Sequence, residues 1–252
     1  MGESDRVAAS YDRIGRGYSR TRRPDPRIAR HVLGALGDAG SVVNVGAGAG
    51  SYEPGAARVV AVEPSREMIA QRLSSAAVVC AVAEALPFRS RSFEAAMAVL
   101  TIHHWDDWRA GIAEMRRVAS SRVVLLTWDP EAGAGFWLFE YFPGILERDR
   151  RRFPDFDELL AATGGRSRAV PVPHDCSDGF LGAWWREPAA YLDATARAAM
   201  SGFVLLPDDD AGRGLARLAG DIRSGEWARR FGALRERGEL DLGYRLIVAE
   251  AS

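Results

Sequence analysis

Five short runs of β-branched and small apolar residues recur along the first half of the chain: Ser41–Val45, Val59–Val62, Val78–Val82, Ala95–Leu100 and Arg122–Trp128. Between them lie segments with helical spacing. From Asp25, Pro26 sits in a first turn and Ile28, His31, Val32, Leu33 and Leu36 supply the apolar face, until Gly37 and Gly40 stop it. Ser65–Leu73 and Trp108–Val118 read as two further helices. Continuous apolar strands alternating with helices predict an α/β fold whose parallel sheet is covered on both faces. Beyond Asp129 the texture changes. Residues 130–153 are rich in glycine and aromatics, Asp155–Thr163 reads as a helix closed by Gly164 and Gly165, and Arg168–Val172 reads as a sixth strand. Residues 180–237 predict two or three helices broken at Pro207 and Asp208–Asp210, and Gly243–Glu250 a last strand.

Composition narrows the setting. A chain of 252 residues with 47% hydrophobic and 27% charged residues has the balance of a globular protein with a substantial core. Its formal net charge of -1 provides no field that draws it to nucleic acid or an anionic membrane. All 33 basic residues are arginine, so the run Arg148, Arg150, Arg151, Arg152, interleaved with Glu147 and Asp149, reads as a solvated helix face or loop. Two distant cysteines, Cys80 and Cys176, an N-terminus without an apolar leader, and no apolar run near the roughly 18 residues of a membrane helix predict a reduced, cytoplasmic protein.

The segment that carries chemistry is Val42–Ser51, a strand running into Gly46-Ala47-Gly48-Ala49-Gly50. Glycines there let backbone approach a nucleoside without Cβ obstruction. Glu63 ends the next strand, where a carboxylate can accept both ribose hydroxyls. A dinucleotide site wants G-x-G-x-x-G with pyrophosphate at the helix N-terminus, but the sixth position here is Ser51. A loop spaced G-x-G-x-G suits a ligand without phosphates.

With these motifs in order, residues 7–130 resemble the class I S-adenosylmethionine-dependent methyltransferases, in the branch that includes the ubiquinone/menaquinone-biosynthesis type. Val42–Gly50 resembles the first motif, Val59–Pro64 the next, Ala83–Phe88 the stretch beside the adenine, and Ser92–Leu100 the fourth-strand motif. Ile102–Trp105 and Glu114–Val118 resemble the loop and helix that follow. The resemblance implies a Rossmann-like, doubly wound, mostly parallel seven-stranded sheet with a helical lid before the last strand. It parcels the chain into an N-terminal helical segment closing over the cofactor (1–25), an S-adenosylmethionine-binding core (26–130), a sixth strand with substrate lid (131–242) and the final strand (243–252).

Carried over by position, Gly46, Ala47, Gly48 and Gly50 line the methionine and ribose, Glu63 holds the ribose, and Pro64 and Met68 pack near the adenine. Ala83 and Glu84 border the adenine edge, and Leu100 offers backbone to the amino group. Tyr11, Tyr18 and Arg22 match the closing helix, with Arg22 placed to pair with the cofactor carboxylate. Three positions depart from the family pattern. Asn44 stands for an Asp that orders the loop and the ammonium, Val82 for an Asp that reaches the adenine amine, and Ser120-Ser121 for a glycine pair.

Methyl transfer is an in-line displacement in which the protein aligns the nucleophile and excludes water, with a base needed only for a protonated nucleophile. His103, of the pair His103-His104, is the candidate base, its alternative being a packing or capping role. Adjacent histidines with no third ligand make no metal site. His174-Asp175-Cys176 reads as a loop that could touch substrate. Trp128, Phe136, Trp137, Phe139, Tyr141, Phe142, Trp184 and Trp185 either line an apolar acceptor pocket or fasten the lid. The expected activity is methyl transfer to a small acceptor, apolar or aromatic, with no nucleic acid or membrane partner, by a monomer or homodimer. The rivals are a methyltransferase of tRNA or protein and a non-catalytic S-adenosylmethionine-binding protein.

Overall fold

The computed structural model describes residues 22–72 and 74–251; Tyr11 and Tyr18 lie outside them. Helix α1 (Pro26–Leu36) begins where the Asp25 carboxylate accepts a hydrogen bond from the Arg27 N–H at 2.8 Å, and its buried Ile28, Val32 and Leu36 repeat every fourth residue. Strands β1 (Ser41–Val45), β2 (Arg58–Val62), β3 (Ala77–Val79), β4 (Phe93–Val99) and β5 (Ala119–Trp128) pair in parallel. Helices α2 (Arg66–Ala70) and α3 (Trp108–Val118) lie between them. Strand β9 (Tyr244–Glu250) runs antiparallel between β5 and β6 (Arg166–Ala169), which completes a seven-stranded sheet of order β3-β2-β1-β4-β5-β9-β6. Along β5, Val123 and Leu125 enter one buried cluster and Val124 and Leu126 the other, so both faces are covered, as continuous apolar strands require.

The order reverses between β1 and β4, and in open α/β sheets that reversal leaves a crevice beyond the strands' carboxyl ends. Two expected elements differ. Strand β3 stops at Val79, because the chain beyond it leaves the sheet and Val82 is 46% exposed. The expected strand Arg168–Val172 is divided: Pro171 separates β6 from β7 (Val172–Pro173), which pairs instead with β8 (Glu239–Leu240). The helical addition precedes the last strand, as expected, and lies on both sides of β6. Helices α4 (Pro130–Gly133), α5 (Leu138–Tyr141), α6 (Pro143–Arg152) and α7 (Phe156–Thr163) precede β6. Helices α8 (Ala194–Ala198), α9 (Ser201–Val204), α10 (Asp208–Ser224) and α11 (Glu226–Phe231) precede β8.

Helices of four or five residues have no stability of their own. Here buried aromatics hold them: the Trp137 indole donates to the Trp185 carbonyl at 2.7 Å, and the Trp185 indole to the Val172 carbonyl at 3.0 Å. No helix among the described residues is long and apolar enough to cross a membrane.

Candidate active site

The crevice at the sheet's reversal holds a cavity of about 580 Å³. Asn44, Gly46, Ala47 and Gly48 line it from the end of β1, and Glu63, Pro64 and Met68 from the end of β2 and the start of α2. Val82, Ala83 and Glu84 form one edge, and Leu100 and Arg22 form another. Of the residues singled out from the sequence, Gly50 stands apart from this wall, at φ 94° beside Ser74 and Arg72.

The loop's shape follows from close approach. Gly46 and Gly48 have φ of 66° and 50°, a region that L side chains avoid, and a Cβ on Gly46 would come within 2.2 Å of the Thr101 Oγ1. Glu63 is 7% exposed and its two carboxylate oxygens accept the N–H groups of Gly48 at 2.8 Å and Ser65 at 2.9 Å. Burial pushes its titration upward, against the opposing pull of those two donors and Arg72. Each oxygen keeps a second lone pair for a diol donor. A cavity of this size, a loop with Cβ-free approach and a buried carboxylate with spare acceptor capacity fit an adenosyl ligand.

Asn44 does not stand alone. Its side-chain amide donates to Glu53 Oε1 at 3.0 Å; Arg72 donates to the same oxygen at 2.7 Å and to the Gly48 carbonyl at 3.2 Å. The negative charge that the first motif lacks at position 44 is supplied by Glu53, whose buried Oε2 has no hydrogen-bond partner among the described residues. Nothing in the local sequence pointed to Glu53 or Arg72. Leu100 has φ 52°, an uncommon conformation for a branched residue, and its N–H is bonded to the Leu126 carbonyl at 2.7 Å.

Arg22 donates through Nε to Asp178 Oδ1 at 2.6 Å, and the Tyr52 hydroxyl donates to Asp178 Oδ2 at 2.7 Å. Asp178 thereby fastens Arg22 to Tyr52, two residues beyond the glycine loop, at the boundary of a second, inner cavity of about 90 Å³. Arg22, Leu100 and His104 line both spaces. Trp128, Phe136, Phe139, Phe153, Phe180 and Tyr244 are the aromatic residues of the inner walls, apart from the two histidines.

The histidines take unequal places. His104 faces both cavities, whereas His103 lines the inner one only and stacks on Phe153 with ring centroids 4.2 Å apart. Arg152 approaches His104 Nδ1 at 3.0 Å. A guanidinium can only donate, so Nδ1 accepts and the proton of neutral His104 sits on Nε2. Burial and Arg152 bring its titration down to about 3. Burial, then His104 and three arginines, hold His103 well below the usual imidazole range, and its Nδ1 is buried with no partner among the described residues. His174, Asp175 and Cys176 line neither cavity: Asp175 pairs with Arg27 at 2.6 Å, and the buried Cys176 thiol donates to the Asp178 carbonyl. The run 147–152 is a solvated face only in part. Arg150 and Arg151 are exposed, but Asp149 is 8% exposed and lines the inner cavity.

Comparison with known proteins places this geometry. The methyltransferase domain family matches residues 43–127. The crystal structure of an Anabaena variabilis protein assigned as a methyltransferase of an antibiotic biosynthesis pathway superposes with a TM-score of 0.83 and 35% identity, over 91% of this chain and 98% of that one. Streptomyces coelicolor geranyl diphosphate C-methyltransferase, solved with S-adenosyl-L-homocysteine, shares 17% identity and a TM-score of 0.50 over 89% and 76% of the two chains. The [4+2]-cyclase SpnF shares 16% identity and a TM-score of 0.52 over 89% and 79%, so the same fold also carries a different reaction. No curated protein matches the chain in sequence. Identity at this level along nearly the whole chain, joined to the glycine loop and Glu63, makes the chain a member of the class I S-adenosylmethionine-dependent methyltransferases.

Proposed function

We propose that this enzyme methylates a small, apolar or aromatic acceptor held in the inner cavity, with S-adenosylmethionine in the large one. The observation that carries this reading is the junction itself: a nucleoside-sized space and a small one with six aromatic side chains in its wall meet at Leu100, His104 and Arg22. The relative from an antibiotic pathway supports a metabolite acceptor, and the net charge of -1 speaks against a nucleic acid. The motifs in order over residues 7–130 support the ubiquinone/menaquinone-type branch, and the cysteine content supports a cytoplasmic setting.

Bound S-adenosylmethionine supplies a methyl group activated by its sulfonium. Gly46, Ala47 and Gly48 give backbone room for the methionine and ribose, and Glu63 accepts from the ribose hydroxyls. Pro64, Met68 and Ala83 flank the adenine, and the Leu100 carbonyl accepts from the amino group. Arg22, fixed by Asp178, faces the carboxylate and closes the cavity toward the acceptor. His104, held by Arg152 as an Nε2–H donor, orients the acceptor and takes no proton. The aromatic walls exclude water from the reacting atoms.

Calorimetry with S-adenosylhomocysteine and with NAD tests the cofactor: binding of the first alone is expected, and the reverse preference sinks the reading. Incubation of small-metabolite fractions with methyl-labelled S-adenosylmethionine tests the acceptor. Label entering only RNA or protein would refute a small-molecule acceptor.

A further inference from the structure

The inner cavity contains one carboxylate among the described residues, and the methyltransferase reading so far leaves it without a task. We propose that Asp149 is the group that accepts the hydrogen bond of the acceptor's O–H or N–H nucleophile and takes its proton as the methyl group is transferred. The inference rests on the reading of the inner cavity as the acceptor site.

Three observations converge on it. Asp149, Arg152 and Phe153 lie three and four residues apart, hence on one side of the C-terminal end of α6. Phe153 stacks on His103 and Arg152 reaches His104, so that side of the helix faces the histidine turn at the junction with the cofactor cavity. Asp149 Oδ1 accepts from Arg148 at 3.1 Å, while Oδ2 has no donor among the described residues and the side chain lines the cavity. The histidines offer no competing base: Nδ1 of His104 is occupied by Arg152, and His103 is held neutral far below its ordinary titration range. Burial moves the Asp149 carboxyl the other way, upward, despite Arg148 and Arg152. A carboxylate strengthened as a base, among aromatic walls, suits proton acceptance.

The transfer balances. The nucleophile's oxygen or nitrogen forms a bond to the methyl carbon as the carbon–sulfur bond breaks with its electron pair on sulfur, and the nucleophile's proton moves to Asp149. The arrangement selects the acceptor's chemistry: a phenol, alcohol or amine on an apolar body has a proton to donate to Asp149, whereas a carboxylic acid, anionic at neutral pH, has none. At about 90 Å³ the cavity is smaller than the roughly 150 Å³ that benzene fills, so it receives the reacting group and part of the ring while the rest of the acceptor lies outside it. Besides Asp149, the charged and titratable groups lining this space are Arg22, His103 and His104 after β4, and Tyr244 of β9, while Arg148 and Arg152 of α6 reach Asp149 and His104 from outside the lining.

The test uses the full chain saturated with S-adenosylhomocysteine, and phenol, benzylamine and benzoate as calorimetric probes. In the wild-type protein phenol and benzylamine bind more tightly than benzoate. Asp149→Asn weakens both by at least about fivefold, strengthens benzoate, and leaves S-adenosylhomocysteine binding within about twofold, while Asp149→Glu restores part of the loss. Phenol does not itself ionise below pH 8, so its wild-type affinity falls as Asp149 is protonated on acidification and is flat with pH in Asp149→Asn. Equal affinities in wild type and Asp149→Asn, or benzoate binding best to the wild type, overturns the role of Asp149. Failure of all three probes to bind, with S-adenosylhomocysteine bound normally, overturns the inner cavity as an acceptor site and the proposal with it.

Discussion

At the scale of single residues, the site separates what each side chain contacts from what its identity alone promised. Glu63 accepts two backbone N–H groups and is nearly inaccessible, so it is both a loop organiser and the ribose acceptor proposed here. Glu63→Ala is expected to weaken S-adenosylhomocysteine binding by about 1–3 kcal/mol, the usual cost of losing a charged hydrogen-bonding partner. Calorimetry checks it, and an affinity within twofold of wild type would remove Glu63 from the ribose site. Glu63 was legible because it ends a strand one unit after a glycine loop, a relation written in sequence order. Asp149 was not: in sequence it sits inside an arginine-rich run that reads as solvent-facing, and only the turn of α6 brings it in while Arg150 and Arg151 stay out. The same holds for Glu53. Its charge stands in for the missing one at Asn44, but from nine residues away, a distance that no local motif records.

At the scale of elements, strands with uninterrupted apolar runs were the most readable, because burial on both faces leaves no polar alternation to confuse with a helix. Strand β1 and helix α3 have the bounds their sequences predict, and β3 is short because Val82 must reach the cavity edge. The lid was the least readable, since helices α4, α5, α8, α9 and α11 are too short to show periodicity and exist through tertiary contacts. The glycine loop makes the sharper prediction. Both Gly46 and Gly48 carry positive φ, but a Cβ on Gly46 would also strike Thr101, whereas one on Gly48 would meet the flexible Met68 end at 3.4 Å. Gly48→Ala is expected to cost about 1–2 kcal/mol from backbone conformation alone, and Gly46→Ala more. The pair Gly46→Ala, Thr101→Ala should recover only the steric part. Thermal denaturation of the three variants decides this; Gly48→Ala destabilising more than Gly46→Ala would show that the Thr101 contact does not govern the loop.

At the scale of the whole molecule, sheet and lid share one core. A single buried cluster runs from Val32 and Met97 beneath the sheet through Trp128 and Trp137 to Trp227 in the lid. His103 and His104 therefore report on global stability and not on a detachable lid. His104 titrates near 3 in the folded protein against an ordinary 6.5, and His103 is depressed in the same sense. Between those two values the unfolded chain binds more protons than the folded one, so stability rises with pH through the window and is lost as the pH falls through it. For one such histidine the loss between pH 7 and pH 5 is about 2 kcal/mol. His104→Gln keeps an acceptor for Arg152 but cannot be protonated, so its drop in unfolding free energy from pH 7 to pH 5 should be smaller than that of wild type by about that amount, whatever its stability at pH 7. Urea unfolding at the two pH values measures the difference directly. An identical drop in wild type and His104→Gln would mean that His104 is protonated in the folded enzyme. Its Nδ1 would then no longer accept from Arg152, and a charged Nε2–H donor in place of a neutral one would face the proposed acceptor site.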